Sequence, residues 1–142
     1  MENVHIDPAS ERLAGVRESL ALLHRALLDA ERRDLEVETG RLASTEYLQH
    51  LMLDPRFAWL RPMGRMVATL DERRHEATKS GTPLDMETVA ALCVQVARLV
   101  TLGTTLEAGD RYAAWLQRDP HVVLAHAALA QALRTKPTQM AA

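Results

Sequence analysis

His126 is the residue whose type and position come closest to chemistry. It shares a helical spacing with Val122 and Leu129, so it lies on the inward-facing apolar stripe of a helix. An imidazole there can act as an axial ligand, a base or a pH switch. Buried histidines more often bond a carbonyl or carboxylate across the core, and we favour that structural role. The alternative is a small-molecule or cofactor pocket between helices, with His126 as its polar group. The side chains that would wall this pocket are Trp59, Tyr112 and Trp115.

The other candidates for metal binding or catalysis are weak. Glu72 and His75 form a Glu-x-x-His, the motif with which some helical bundles hold two irons, but their neighbours are charged and typical of a solvated helix end. Acidic side chains also cluster in a charge-dense stretch where nothing would desolvate them, at Glu31, Asp34 and Glu38. Without burial there is no reason for a tuned acid or base. The sequence therefore predicts no metal, no cofactor and no catalysis.

One apolar face could serve a partner protein. Trp59, Met63 and Met66 follow one another at spacings of four and three, and both residue types are favoured at interface cores. Gly64 and Ala68, four residues apart, would let another helix come close. The pattern is typical either of a wide core stripe or of an interface, and both interpretations stay open.

Prolines mark the places where helices begin. A capping residue precedes proline at Asp7-Pro8, Asp54-Pro55, Thr82-Pro83 and Asp119-Pro120. Proline suits the first helical turn, and the residue before it can accept a hydrogen bond from that turn's free N–H groups. Glycines at 40, 81 and 103 are the predicted ends. The predicted helices cover 8–39, 45–53, 62–79, about 84–102, a segment starting at Thr104 or Thr105, and 120–133, with a single turn at 56–60.

The first helix carries an unusually long apolar seam. Its apolar residues alternate at spacings of three and four, as in a heptad pattern, at Leu13, Val16, Leu20, Leu23, Leu27 and Ala30. At about 1.5 Å per residue the helix would be roughly 45 Å long, against about 20 residues for its neighbours. The seam would protrude unless a second copy covered it, so we predict a twofold homodimer. Leu22 and Leu28 lie off the seam and could contact a second neighbour.

Composition predicts an all-α fold. Aromatic residues are only 4% of the 142 residues, and alanine and leucine dominate. We expect a bundle of four principal helices with one or two short connecting helices. The fourth helix is apolar nearly all round between Val89 and Val100, so we expect it to be the central, most buried element, with Cys93 as an inert core residue. The predicted domain covers 8–134, with a disordered N-terminus at 1–7 and a flexible tail at 135–142.

Charge and targeting signals narrow the possible partners. The net charge is −2, which is unlike the basic footprint of a nucleic-acid-binding protein. The single cysteine suits a reducing compartment. We find neither a signal peptide nor an apolar run of the roughly 20 residues that a membrane helix needs. These features predict a cytoplasmic protein without nucleic-acid or membrane partners.

Two segments carry a resemblance. The stretches DPRFAWLRP at 54–62 and QRDPHVVLAHA at 117–127, with the leucine-rich first helix, resemble a group of small uncharacterised bacterial helical proteins. The resemblance implies an all-helical bacterial protein and carries no activity. The weak catalytic motifs favour a non-catalytic protein that acts through protein–protein interaction, as a scaffold or adaptor.

Overall fold

The computed structural model describes residues 7–102 and 106–135, and within them the chain is all-α. In chain order the helices are α1 (Pro8–Thr39), α2 (Ser44–Leu53), α3 (Pro55–Ala58), α4 (Arg61–Ser80), α5 (Met86–Leu102), α6 (Leu106–Arg118) and α7 (Pro120–Arg134). The predicted helical bundle is therefore confirmed. The predicted start of the fifth helix at Thr104 or Thr105 lies outside the described residues, as does nearly all of the two predicted disordered ends.

Three of the predicted aspartate caps are confirmed. The side chains of Asp7, Asp54 and Asp119 each accept a hydrogen bond from a backbone N–H in the first turn of α1, α3 and α7, and proline follows each of them. The predicted start at Thr82-Pro83 is wrong. Asp85 accepts a 2.6 Å hydrogen bond from the Thr88 N–H instead, so the segment before it stays outside α5.

The ends of α1 and α4 are also where the sequence predicts them. Gly40 has φ 80° and Gly81 has φ 69°, a backbone conformation that L side chains rarely adopt. The Gly81 N–H bonds back to the Thr78 carbonyl and closes the last turn of α4. Glycine is therefore required at both stops.

α1 is the centre of the bundle, and α4 and α7 flank it in the opposite direction. On one side Gly64 lies against the His24 ring, and Asp71, later in α4, forms an ion pair with Arg17, earlier in α1. The two helices are therefore antiparallel. On the other side Arg33 pairs with Asp119 at the start of α7, and Arg12 donates to the Leu133 carbonyl near its end. The seam of α1 is buried between these helices and α5.

The prediction that the fourth long helix, α5, is the most buried element is wrong. Only one stripe of α5 is buried, at Val89, Leu92, Cys93, Val96 and Val100. Met86 and Val94, on its other face, are each 51% exposed. The remaining residues of that face are small or polar, so burying it would remove little apolar area from water.

The predicted need for a second copy to cover α1 has no basis in the fold. Every seam residue from Leu13 to Ala30 is at most 1% exposed within a single chain. Shorter helices cover the long one in succession, and its C-terminal end is covered by a second cluster built from Leu35, Leu42 and Phe57. The homodimer itself stays a prediction, but it needs another surface.

Candidate functional site

Glu31 of α1 is a fully buried carboxylate at the centre of a hydrogen-bond cluster. Its Oε2 accepts from the indole N–H of Trp59 at 2.9 Å and from that of Trp115 at 3.1 Å. The Arg111 guanidinium donates to both carboxylate oxygens, at 2.6 and 2.8 Å. All these donors converge on one side chain, so the cluster ties α1 to α6 and to the junction of α3 and α4.

The electrostatics of the cluster favour an ionised Glu31. Burial by itself raises the pKa of the carboxyl, but the hydrogen bonds and charge of Arg111 and the bonds from Trp115 and Trp59 outweigh it. The pKa of Glu31 therefore lies below its ordinary value. A carboxylate that is ionised and bonded on both oxygens is a poor general base, so the arrangement holds helices together.

The expectation that Glu31 is solvated is wrong, whereas Asp34 and Glu38 do lie at the surface. Asp34 pairs with Arg118, and Glu38 pairs with Arg56. Glu31 differs because it lies four residues after Leu27, on the buried side of α1. The missed signal is the pair of tryptophans, whose N–H groups need acceptors once they are buried.

His126 forms a hydrogen bond within the chain, but it is half-buried and its partner is a hydroxyl, not the carbonyl or carboxylate that the sequence analysis favours. Its Nδ1 lies 2.5 Å from the Tyr112 hydroxyl, and the two rings contact at a tilted angle. Burial raises the pKa of Tyr112, so the phenol keeps its proton and shares a hydrogen bond with the imidazole. The pair links α6 to α7.

All four residues of the alternative cofactor pocket are engaged in side-chain hydrogen bonds. Trp59 and Tyr112 share a cavity of about 20 Å³, which is space for about one water molecule. Trp115 bonds Glu31, and His126 bonds Tyr112. In this part of the described chain the aromatic side chains fill the space between the helices.

The residues predicted for an interface lie in different environments. Met63 is only 5% exposed and belongs to the main core, and Trp59 and Met66 pack against that core while partly exposed. Leu28 lies between the two apolar clusters, and Leu22 is 53% exposed on α1. The predicted stripe through Met63 therefore packs within the chain, and Leu22 is an isolated apolar side chain on a polar face.

The remaining candidates, Cys93 and His75, are structural and solvated respectively, and His24, a histidine beside the seam of α1, is structural too. Cys93 is buried, and burial raises the pKa of its thiol. His24 is held against Gly64, and burial lowers the pKa of its imidazole. His75 is exposed. Among the residues that the structure describes, no group of three or more histidine, cysteine or acidic side chains is placed to hold a metal ion.

The outer face of α7 is apolar and uncharged. It consists of Val123, Leu124, Ala127 and Ala128, which we call the α7 face, and the exposed residues His121 and Gln131 lie beside it. Val123 is 43% and Leu124 is 68% exposed, and the chain from 120 to 133 has no charged residue. The four positions follow the i, i+4 rows of one helix surface. No other described element covers this face.

Two further findings bear on identity and partners. None of the described helices is long and apolar enough to cross a membrane. The resemblance to small bacterial helical proteins stays a prediction. The chain matches no protein-family model, no curated protein and no solved structure.

Proposed function

We propose that the protein is a non-catalytic helical interaction protein that associates with itself through the α7 face. The observation that carries this proposal is the uncovered, uncharged apolar surface along α7. The cluster around Glu31 supports the non-catalytic part, since its carboxylate is fully engaged in holding helices. A cytoplasmic location is part of the proposal, because the free thiol of Cys93 suits a reducing compartment.

A twofold dimer suits this surface for two reasons. In such a dimer the same patch meets itself, so a patch without charge meets no like charge across the axis. Ala127 and Ala128 are small, so two copies of α7 can approach closely, and Leu124 can pack beside them.

The size of the α7 face sets the expected affinity. From Pro120 to Gln131 the helix advances about 17 Å at 1.5 Å per residue. Taken about 10 Å wide, as a helix with its side chains is, this strip covers roughly 170 Å² on each copy, which is small beside the roughly 1,200–2,000 Å² that stable interfaces bury. We therefore expect a reversible dimer that forms in the micromolar range or above, and not an obligate one.

Sedimentation velocity from micromolar to millimolar protein tests the proposal. The mass should rise with concentration from 15.8 kDa towards twice that value. Leu124→Glu places a charge on the patch and on its copy, so it should weaken the dimer by about tenfold or more. Leu22→Glu is the matched control, since Leu22 is also an exposed leucine in a helix.

Two outcomes would contradict the proposal. A wild-type protein that stays at 15.8 kDa up to millimolar concentration would remove self-association. A dimer that Leu22→Glu dissociates and Leu124→Glu leaves intact would place the interface on α1. Circular dichroism of both variants checks that each remains folded.

A further inference from the structure

A groove of about 370 Å³ runs between α1, α2 and α4. Its apolar lining comes from Leu28 of α1 and Leu51 of α2, which are half-buried, and from Phe57 of α3 and Leu60 just before α4, which are buried at its floor. Two arginines of α4, Arg61 and Arg65, line it as well. The groove is separate from the α7 face.

The groove exists because α2 leans on the bundle without being buried in it. None of the residues of α2 is buried, although Tyr47 and Leu51 pack against the second cluster. Leu48 and Met52, on the adjoining side of α2, are 55% and 65% exposed. At Gly64 the groove lacks a side chain, which leaves the His24 ring as its wall.

Both charged side chains that line the groove are arginines. Arg61 donates to the Leu51 and Met52 carbonyls and so holds the end of α2 in place. Arg65 is exposed, and its guanidinium has no ion pair with a described residue. None of the described lining residues is a carboxylate. The groove therefore presents apolar area beside uncompensated positive charge.

We propose that this groove binds a short amphipathic helix of a different protein, with an apolar stripe flanked by carboxylates. A helix laid in a groove places its anchors at i, i+3 or i+4, and i+7, and those anchors would contact Leu28 and Leu51 in the groove and the exposed Met52 next to Leu51. Carboxylates beside the stripe would meet Arg61 and Arg65. A second copy of this chain is a poor occupant, because a twofold contact at the groove would set its arginines against one another.

A selection from displayed peptides tests the proposal and does not require that the partner be identified first. The library consists of randomised helix-forming peptides of about 16 residues, or four to five turns. It is selected on the wild-type protein, and binders to the double variant Met52→Glu, Arg65→Glu are discarded. The enriched peptides should share an apolar stripe of helical spacing with aspartate or glutamate beside it.

One enriched peptide is then synthesised and titrated by fluorescence anisotropy. Arg65→Glu should weaken its binding by about five- to tenfold, because an attraction becomes a repulsion. Arg98→Glu is the control, since Arg98 is an exposed arginine on α5 and should leave the affinity unchanged. Met52 and Arg65 are both exposed, so the variants are expected to fold, and circular dichroism checks this.

Three results would overturn the proposal: no enrichment above background, enriched peptides that are neutral or basic, or binding that tolerates both Met52→Glu and Arg65→Glu. The outcome is independent of the α7 face. Sedimentation of Arg65→Glu should show the same monomer–dimer behaviour as the wild type, so the failure of one proposal does not imply the failure of the other.

Discussion

Replacing Glu31 by glutamine tests the central cluster of the fold with the smallest change of shape. The amide oxygen can take the place of Oε2 and keep the bonds from Trp59, Trp115 and the Arg111 Nε. The amide NH₂ then takes the place of Oε1 and faces the Arg111 Nη2, a donor against a donor, so the 2.8 Å bond is lost.

The expected cost follows from these bonds. Hydrogen bonds to a charged group contribute about 1.5–3 kcal/mol and neutral ones about 1 kcal/mol, so the retained bonds weaken and one bond disappears. The Arg111 side chain is 38% exposed, so water can solvate its freed guanidinium and the cost stays below that of an unpaired buried charge. We expect Glu31→Gln to lower the free energy of unfolding by about 2–3 kcal/mol.

Urea unfolding followed by circular dichroism and by tryptophan emission measures this loss. The chain has two tryptophans and both bond Glu31, so the emission reports the cluster directly. Glu38→Gln is the matched control on the same helix, where Glu38 is 64% exposed and pairs with Arg56; it should cost at most about 0.5 kcal/mol. Equal stabilities of the two variants would refute the assignment of Glu31 as a buried anchor.

Three further predictions follow from single sites. Because the pKa of folded Glu31 lies below its ordinary 4.5, its contribution is fully present above that pH and is lost as the pH falls through the folded value; the stability gap between wild type and Glu31→Gln should therefore close in acid. Gly15→Ala in α1 should stabilise the protein by about 0.5–1 kcal/mol in thermal unfolding, because alanine has the higher helix propensity and no atom lies within 4 Å of the added Cβ. Cys93, 4% exposed and with a raised pKa, should react with a thiol reagent only in denaturant; rapid labelling of the native protein would contradict its buried position.

Local physical chemistry made most of the fold predictable. A cap such as Asp119 before a proline depends only on neighbouring backbone groups, so it can be identified before the packing is known. The apolar seam of α1 likewise shows which side is buried. The error at α5 arose because apolar residues all round a helix permit burial without requiring it. Small residues such as Ala90 lose little by remaining exposed.

Glu31 shows what local patterns cannot supply. The two residues that follow it, Arg32 and Arg33, are charged, and its burial depends on donors that come from residues 28, 80 and 84 positions away in the chain. A carboxylate becomes a favourable core residue only when such distant donors are already in place. Two features of the sequence did indicate that the core needs a hydrogen-bond acceptor. Trp59 and Trp115 need partners for their N–H groups, and Arg111, a further donor, lies one helical turn from Trp115.

The evidence for self-association has to come from what remains uncovered after folding. The long seam of α1 and the small residue Gly64 both indicate that another helix packs closely, and in both cases that helix belongs to the same chain. Apolar spacing specifies that a face is covered and at what distance, but it carries no information about which chain covers it. The α7 face differs because the described helices leave it uncovered, with Leu124 68% exposed, and because it holds no charged residue, whereas exposed Leu22 on α1 lies between Glu18 and Arg25. For that reason α7, and not α1, is where a second copy is expected to bind.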